Sequence, residues 1–312
     1  MTSKKSPTGV VAATVLPFDD AQAIDWASYE RVLAHCASAD GIRTIFVNGH
    51  AGEGGALDAG ERRDVLRFTR ERIAGGRALI AGILAQSTRE AVAEARVAAD
   101  AGADLLTVFP PATFAGARTA MVVDYVRAIA DAADLPVIVF QYPLGSGFGY
   151  STETLVRLAE LPSVVAVKEG SDSIRAYEDN YRALKVARPD FAVLASNFDW
   201  FLAQLASGSD GILSGLASLA PRPLADLWQA SQRGDITAMR ETSARLQPLV
   251  SAIYAAPRNE MYVRIKHALR TLGVIASAKA RAPFPSVDAA TARAIDAALE
   301  QTGIAMLAGE RG

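Results

Sequence analysis

The segment SVVAVKEGSD, Ser163 to Asp172, runs through small and apolar residues into a lysine, Lys168. An ammonium group is costly to desolvate, so a lysine at the tip of a core strand needs a reason. As a structural residue it would pair with an acidic neighbour such as Glu169 or Glu53. As a chemical one it would have a lowered pKa, because the charged form loses water without full replacement. The neutral amine is a nucleophile for a carbonyl carbon, and the product is a Schiff base. A third reading makes Lys168 a general base with no covalent intermediate.

A second stretch with chemical potential is NGHAGEG, Asn48 to Gly54. It is a glycine-rich turn whose N–H groups could form a nest for a small anion such as a carboxylate. His50 in its middle can titrate near neutrality. The plain alternative is a tight turn with a solvent-facing histidine. GSGFG, Gly145 to Gly149, is equally permissive but matches no phosphate motif. The histidines His35, His50 and His267 are scattered without metal-ligand spacing, and no nucleophile elbow or Walker loop occurs. No metal and no cofactor are expected.

The single cysteine, Cys36, excludes an internal disulfide and reads as a packed core thiol beside Trp26, Tyr29, Val32 and Leu33. With 32 basic and 34 acidic residues there is no electrostatic case for nucleic acid or an anionic membrane. No signal-peptide pattern follows MTSKKSPTGV, and no run approaches the roughly 20 apolar residues of a membrane helix. A soluble, cytoplasmic protein is expected.

The elements that must position these groups alternate along the chain. GVVAATVLP, RTIFVNG, RALIAGIL, ADLLTVFP, LPVIVFQYP, SVVAVKEG, DFAVLAS and DGILSG read as strands, near-continuously apolar as in parallel sheets covered on both faces. Helical patterns such as STETLVRLAEL, RAYEDNYRALKVA and FDWFLAQLA separate them. Asp58–Glu61 and Ser87–Glu90 have the spacing of capping boxes. The pattern predicts a (β/α)8 TIM barrel; an open doubly wound sheet is second, lacking its glycine fingerprint. From about Pro223 only helices are expected. The chain is thus divided into a barrel core, residues 1–222, and residues 223–312, the last barrel helix with a C-terminal helical extension. Barrel chemistry gathers at the C-terminal strand ends, and Lys168 shares the parity of Val164 and Ala166, which would aim it into the barrel mouth.

In order and position these anchors resemble the dihydrodipicolinate synthase / N-acetylneuraminate lyase family. NGHAGE is similar to its G-[ST]-T-G-E turn, VKEGSD to its lysine strand, FQYP to Y-N-x-P, and VLPF and GILSG also match in place. The resemblance spans almost the whole chain. It implies a metal-free class I lyase, an aldolase or dehydratase, in which Lys168 forms an imine with pyruvate or another 2-oxo acid. Gly49, Ala51 and Gly52 would hold the substrate carboxylate, and the carbonyl of Leu213 would border the pocket. A homotetramer, a dimer of dimers, is implied too. The departures are as informative. The family's relay tyrosine falls on Phe140, its turn hydroxyls on His50 and Ala51, its interface tyrosine on Ala112 and its carboxylate-binding arginine on Gly145. Those substitutions argue against a true dihydrodipicolinate synthase and toward a less charged second half of the substrate. They leave His50, ahead of Tyr142 or a bound water, to move protons. The rival is a non-catalytic relative that binds an oxo acid or serves as a structural barrel.

Overall fold

The computed structural model describes residues 7–73, 76–196 and 200–304. Eight strands form in chain order: β1 Gly9–Ala13, β2 Ile42–Val47, β3 Ala78–Ile83 and β4 Leu105–Val108. They continue with β5 Val137–Phe140, β6 Val164–Glu169, β7 Ala192–Ala195 and β8 Gly211–Ser214. Each pairs in parallel with the next, and β8 returns to β1 with Leu213 opposite Val11, closing a (β/α)8 barrel. The strands are buried almost throughout, as their unbroken apolar runs require once helices cover the outside.

The barrel helices are α1 Trp26–Ala37, α2 Ala59–Arg72, α3 Thr88–Asp100 and α4 Thr119–Ala133. They are followed by α5 Thr152–Ala159, α6 Ile174–Ala187, α7 Phe201–Ser207 and α8 Pro221–Gln232. Asp58 and Glu61 form the expected reciprocal capping box at α2. At α3 only half of it forms: Ser87 accepts from the Glu90 N–H, while the Glu90 carboxylate reaches the N–H of Gln86 instead. The segment FDWFLAQLA yields a shorter helix than its pattern predicts, α7 starting at Phe201; Phe198 and Asp199 lie outside the described residues. Cys36 is buried, and loss of water pushes its thiol up to about 12, so it is an inert packing residue.

The C-terminal helices are α9 Ile236–Ile253, α10 Met261–Thr271 and α11 Ala289–Thr302. Every residue of α10 from Met261 to Leu269 is buried, including Arg264, Lys266 and His267. A helix covered on all sides must satisfy its polar groups internally. Arg264 donates to the carbonyls of Ile253 and Ala255, and His267 meets Asp296 at 3.0 Å. Lys266, fully buried, donates to the Glu53 carboxylate and to the carbonyl of Lys279, 2.9 Å away. The second Glu53 oxygen accepts the N–H of Arg281 at 2.9 Å. Arg281 in turn grips Glu61 with both terminal nitrogens and donates to the carbonyls of Gln22 and Ala56.

This network pins the turn after β2 to the C-terminal region. Removing one member of a buried pair strands the other, at roughly 3–5 kcal/mol. Glu53→Gln is therefore expected to lower the denaturant midpoint sharply, whereas Glu53→Gln combined with Lys266→Met should lose much less. Equal losses in the two proteins would show that the pair is not what holds the turn.

Candidate active site

At the C-terminal end of the barrel a cavity of about 680 Å³ opens between the strand ends, α10 and the segment joining α10 to α11. Lys168, His50, Phe140 and Tyr142 all line it. β5 and β6 set the first contact: Phe140 and Lys168 are register partners, and the Lys168 Nζ lies 4.1 Å from the centroid of the Phe140 ring. On the other side Nζ donates to Ser196 Oγ at 3.1 Å, and that hydroxyl donates to the Glu169 carbonyl at 2.8 Å.

Lys168 is only 6 % exposed, and burial lowers its pKa from the ordinary 10.5 to about 7. The Glu169 charge works the other way, as does the π face of Phe140. A cation–π contact of about 0.5–2 kcal/mol corresponds to roughly one pKa unit, whereas full desolvation moves a lysine by up to 3–5 units, so burial prevails. The acidic neighbours that a structural reading would assign to Lys168 are held elsewhere. The Glu169 carboxylate accepts from Ser171 and from Asn180 Nδ2 at 2.9 Å, and Glu53 belongs to Lys266.

The turn after β2 folds tightly against the barrel. A Cβ at Gly49 would lie 2.6 Å from the Phe46 ring, and one at Gly54 would lie 2.1 Å from the Asn48 carbonyl oxygen, so neither position admits a side chain without a shift. His50 is thereby pushed up into the cavity. Its ring packs edge-on to Phe109 and Phe140, with centroids 4.8 and 5.5 Å away. The residue is nonetheless exposed, its ring reaching solvent through the cavity it lines. The protein atoms crowded around the ring lower its pKa to about 4, and the nearby Lys168 charge adds to the effect.

His50 Nε2 shares a short hydrogen bond with the Tyr142 hydroxyl. The sequence offers these two residues as alternatives, and the fold joins them. Burial also raises the Tyr142 pKa, so both partners are neutral near pH 7. What returns Tyr142 to the cavity beyond Phe140 is Gln141. Its amide donates to the Tyr150 carbonyl and accepts the Tyr150 N–H, both at 2.7 Å, closing the loop between them.

The remaining anchors lie elsewhere. Gly49, Ala51 and Gly52 are buried in the turn after β2 and Leu213 is fully buried within β8; none of the four lines the cavity. Ala112 and Gly145 are exposed on the loops after β4 and β5. Sequence reasoning misses three contributors. Ser196 directly follows β7 beside the lysine strand, and a polar residue closing DFAVLAS is the available signal. Phe109, stacked on Phe140 with centroids 4.2 Å apart, directly follows β4. The third is the wall formed by Met261, Tyr262, Pro283 and Phe284, which comes from the helical region.

Among the described residues no cluster of metal-ligating side chains occurs and no helix is long and apolar enough to cross a membrane. Residues 6–302 match the model of the dihydrodipicolinate synthetase family. The 4-hydroxy-tetrahydrodipicolinate synthase of Corynebacterium aurimucosum is 34% identical over 296 residues, 95% of this chain and 94% of its own. That of Pseudomonas aeruginosa is 29% identical over 95% of this chain and 98% of its own. Among solved structures, dihydrodipicolinate synthase from Thermotoga maritima superimposes with a TM-score of 0.88 at 26% identity, covering 95% of this chain and 99% of its own.

Proposed function

Since the chain belongs to the dihydrodipicolinate synthetase family, a family of class I lyases, we propose that it is a lyase acting on pyruvate or another 2-oxo acid through an imine at Lys168. The observation that carries this reading is the lysine itself, buried at the barrel mouth with a pKa near 7 and facing a cavity large enough for substrate. At neutral pH a far larger share of such an amine is free to attack than of an ordinary lysine, whose pKa is 10.5.

The amine adds to the ketone carbon, and the resulting carbinolamine loses water to give the imine. That loss needs a proton delivered to the leaving hydroxyl. We assign that delivery to the His50–Tyr142 pair; its hydrogen bond supports the assignment, because an imidazole can take a proton on one nitrogen while giving one from the other. The protonated imine then withdraws electrons from the adjacent carbon, so that a C–C bond forms or breaks, or water leaves, beside it. In this reading the backbone N–H groups of Gly49, Ala51 and Gly52 hold the substrate carboxylate and the Leu213 carbonyl borders the pocket, which requires substrate to reach below the walls that line the open cavity. Assembly as a homotetramer and a cytoplasmic location belong to it too.

The relatives carry the name of 4-hydroxy-tetrahydrodipicolinate synthase; the reading separates this chain from that activity. Phe140 stands over Lys168 without a hydroxyl, and Ala112 and Gly145 offer neither a phenol nor a guanidinium.

The test is reductive trapping. Incubation with pyruvate or 2-oxo sugar acids and cyanoborohydride should leave a covalent adduct that peptide mass spectrometry maps to Lys168; no adduct with any of them would sink the reading. The trapping rate should also rise with pH and level off above an apparent pKa near 7, because protonation removes the nucleophile below it. A rate still climbing toward pH 10 would mean an ordinary lysine.

A further inference from the structure

The cavity is far larger than a three-carbon oxo acid needs, and we infer that its outer half receives an apolar, aryl-sized tail carried by the 2-oxo acid. The inference rests on the imine reading above and extends it to the rest of the substrate. Cavities of about 300–1,000 Å³ hold drug-sized ligands, and this one, at about 680 Å³, lies within that range. Leu84, Pro143, Met261, Tyr262, Pro283 and Phe284 give it extended apolar walls besides the strand ends that carry Lys168 and Phe140. Phe284 stands edge-on to Tyr262 with centroids 5.0 Å apart, so the two rings form one aromatic stretch of the cavity wall.

The polar side chains of the same walls are matched to one another. The Glu53 carboxylate is bonded by Lys266 and the Arg281 N–H, and Arg258 donates to Asp172 at 2.7 Å. Both ends of the Gln141 amide are taken by Tyr150, and the Tyr142 hydroxyl by His50. Among the described residues this leaves Asn259 and the Tyr262 hydroxyl to meet a tail's polar groups. A tail carboxylate would have to compete with Asp172 for Arg258, and a row of hydroxyls would lose water without replacement. A planar apolar tail loses nothing and buries its surface.

The test compares 2-oxo acids with the same reacting head and different tails, read as the concentration giving half-maximal trapping at Lys168 with cyanoborohydride. Pyruvate, 2-oxo-4-phenylbutanoate, 2-oxoadipate and 2-keto-3-deoxygluconate serve as the probes. The phenyl compound should half-saturate at least ~10-fold below pyruvate, a gain of about 1.4 kcal/mol, and the anionic and polyhydroxylated compounds should show no such gain. Phe284→Ala, checked for folding by circular dichroism, should remove most of the phenyl advantage. A gain for 2-oxoadipate or the sugar acid equal to that of the phenyl compound would overturn the proposal, as would a phenyl advantage that survives Phe284→Ala. If pyruvate and every other probe fail to label Lys168, it is the imine reading that falls. Labelling by pyruvate with the wrong tail order defeats this proposal alone.

Discussion

Lys168→Met should abolish reductive trapping with every 2-oxo acid and lower turnover by at least ~10³-fold, because no other group can replace a covalent nucleophile. The change keeps the volume of the side chain in a buried strand, so the barrel should fold as before. It should also alter stability in a way that loss of activity alone would not reveal. The native amine has its pKa lowered to about 7, whereas the unfolded chain holds that proton up to the ordinary 10.5. Between those values the unfolded state binds more protons, so wild-type stability rises with pH across that window. In Lys168→Met this part of the slope should vanish. Denaturant unfolding of the two proteins at pH 7 and pH 9 measures it. An unchanged slope would mean that Lys168 titrates normally in the folded protein, and the argument for its nucleophilicity would fail with it.

The second large effect concerns His50 and Tyr142. A positioned acid–base group contributes about 10²–10⁴-fold, and here two neutral groups share one hydrogen bond in one cavity. His50→Ala and Tyr142→Phe should therefore each reduce kcat by ~10²-fold or more. Their combination should be little worse than the more severe single change, since either one breaks the same relay. Strictly additive losses would show that the two residues act separately. A near-silent Tyr142→Phe would restore the simpler expectation of a histidine working alone or through water.

The barrel is legible in the chain because parallel strands covered on both faces leave unbroken apolar runs, and eight of them alternate with helical patterns. Their ends are less so. GVVAATVLP suggests nine residues of strand, yet β1 stops at Ala13 while Thr14 to Phe18 stay buried in the following loop. Burial continues where pairing does not, and hydropathy registers only burial. Among site residues, Lys168, His50, Phe140 and Tyr142 are found by asking what stands at the strand ends. Met261, Tyr262 and Phe284 are not, because an apolar helical pattern cannot say whether a residue packs on a wall or forms one. Lys266 and Arg264 inside an otherwise apolar helix were the available hint. Cations buried on all sides need partners, and Glu53, in a glycine-rich turn more than 200 residues earlier, is where one of them finds its anion.

That separation bears on how the molecule is made. Glu53 leaves the ribosome 213 residues before Lys266 and 228 before the Arg281 amide that binds its second oxygen. Synthesis proceeds from the N-terminus, so all eight strands are in hand while the carboxylate at the mouth of the barrel still lacks both donors. The nascent barrel can close around its core, but the turn that carries His50 acquires its final anchor only when Arg281 arrives. Assembly of the barrel mouth is thereby tied to synthesis of the segment through Arg281, and a chain ended before it leaves that turn without its lock.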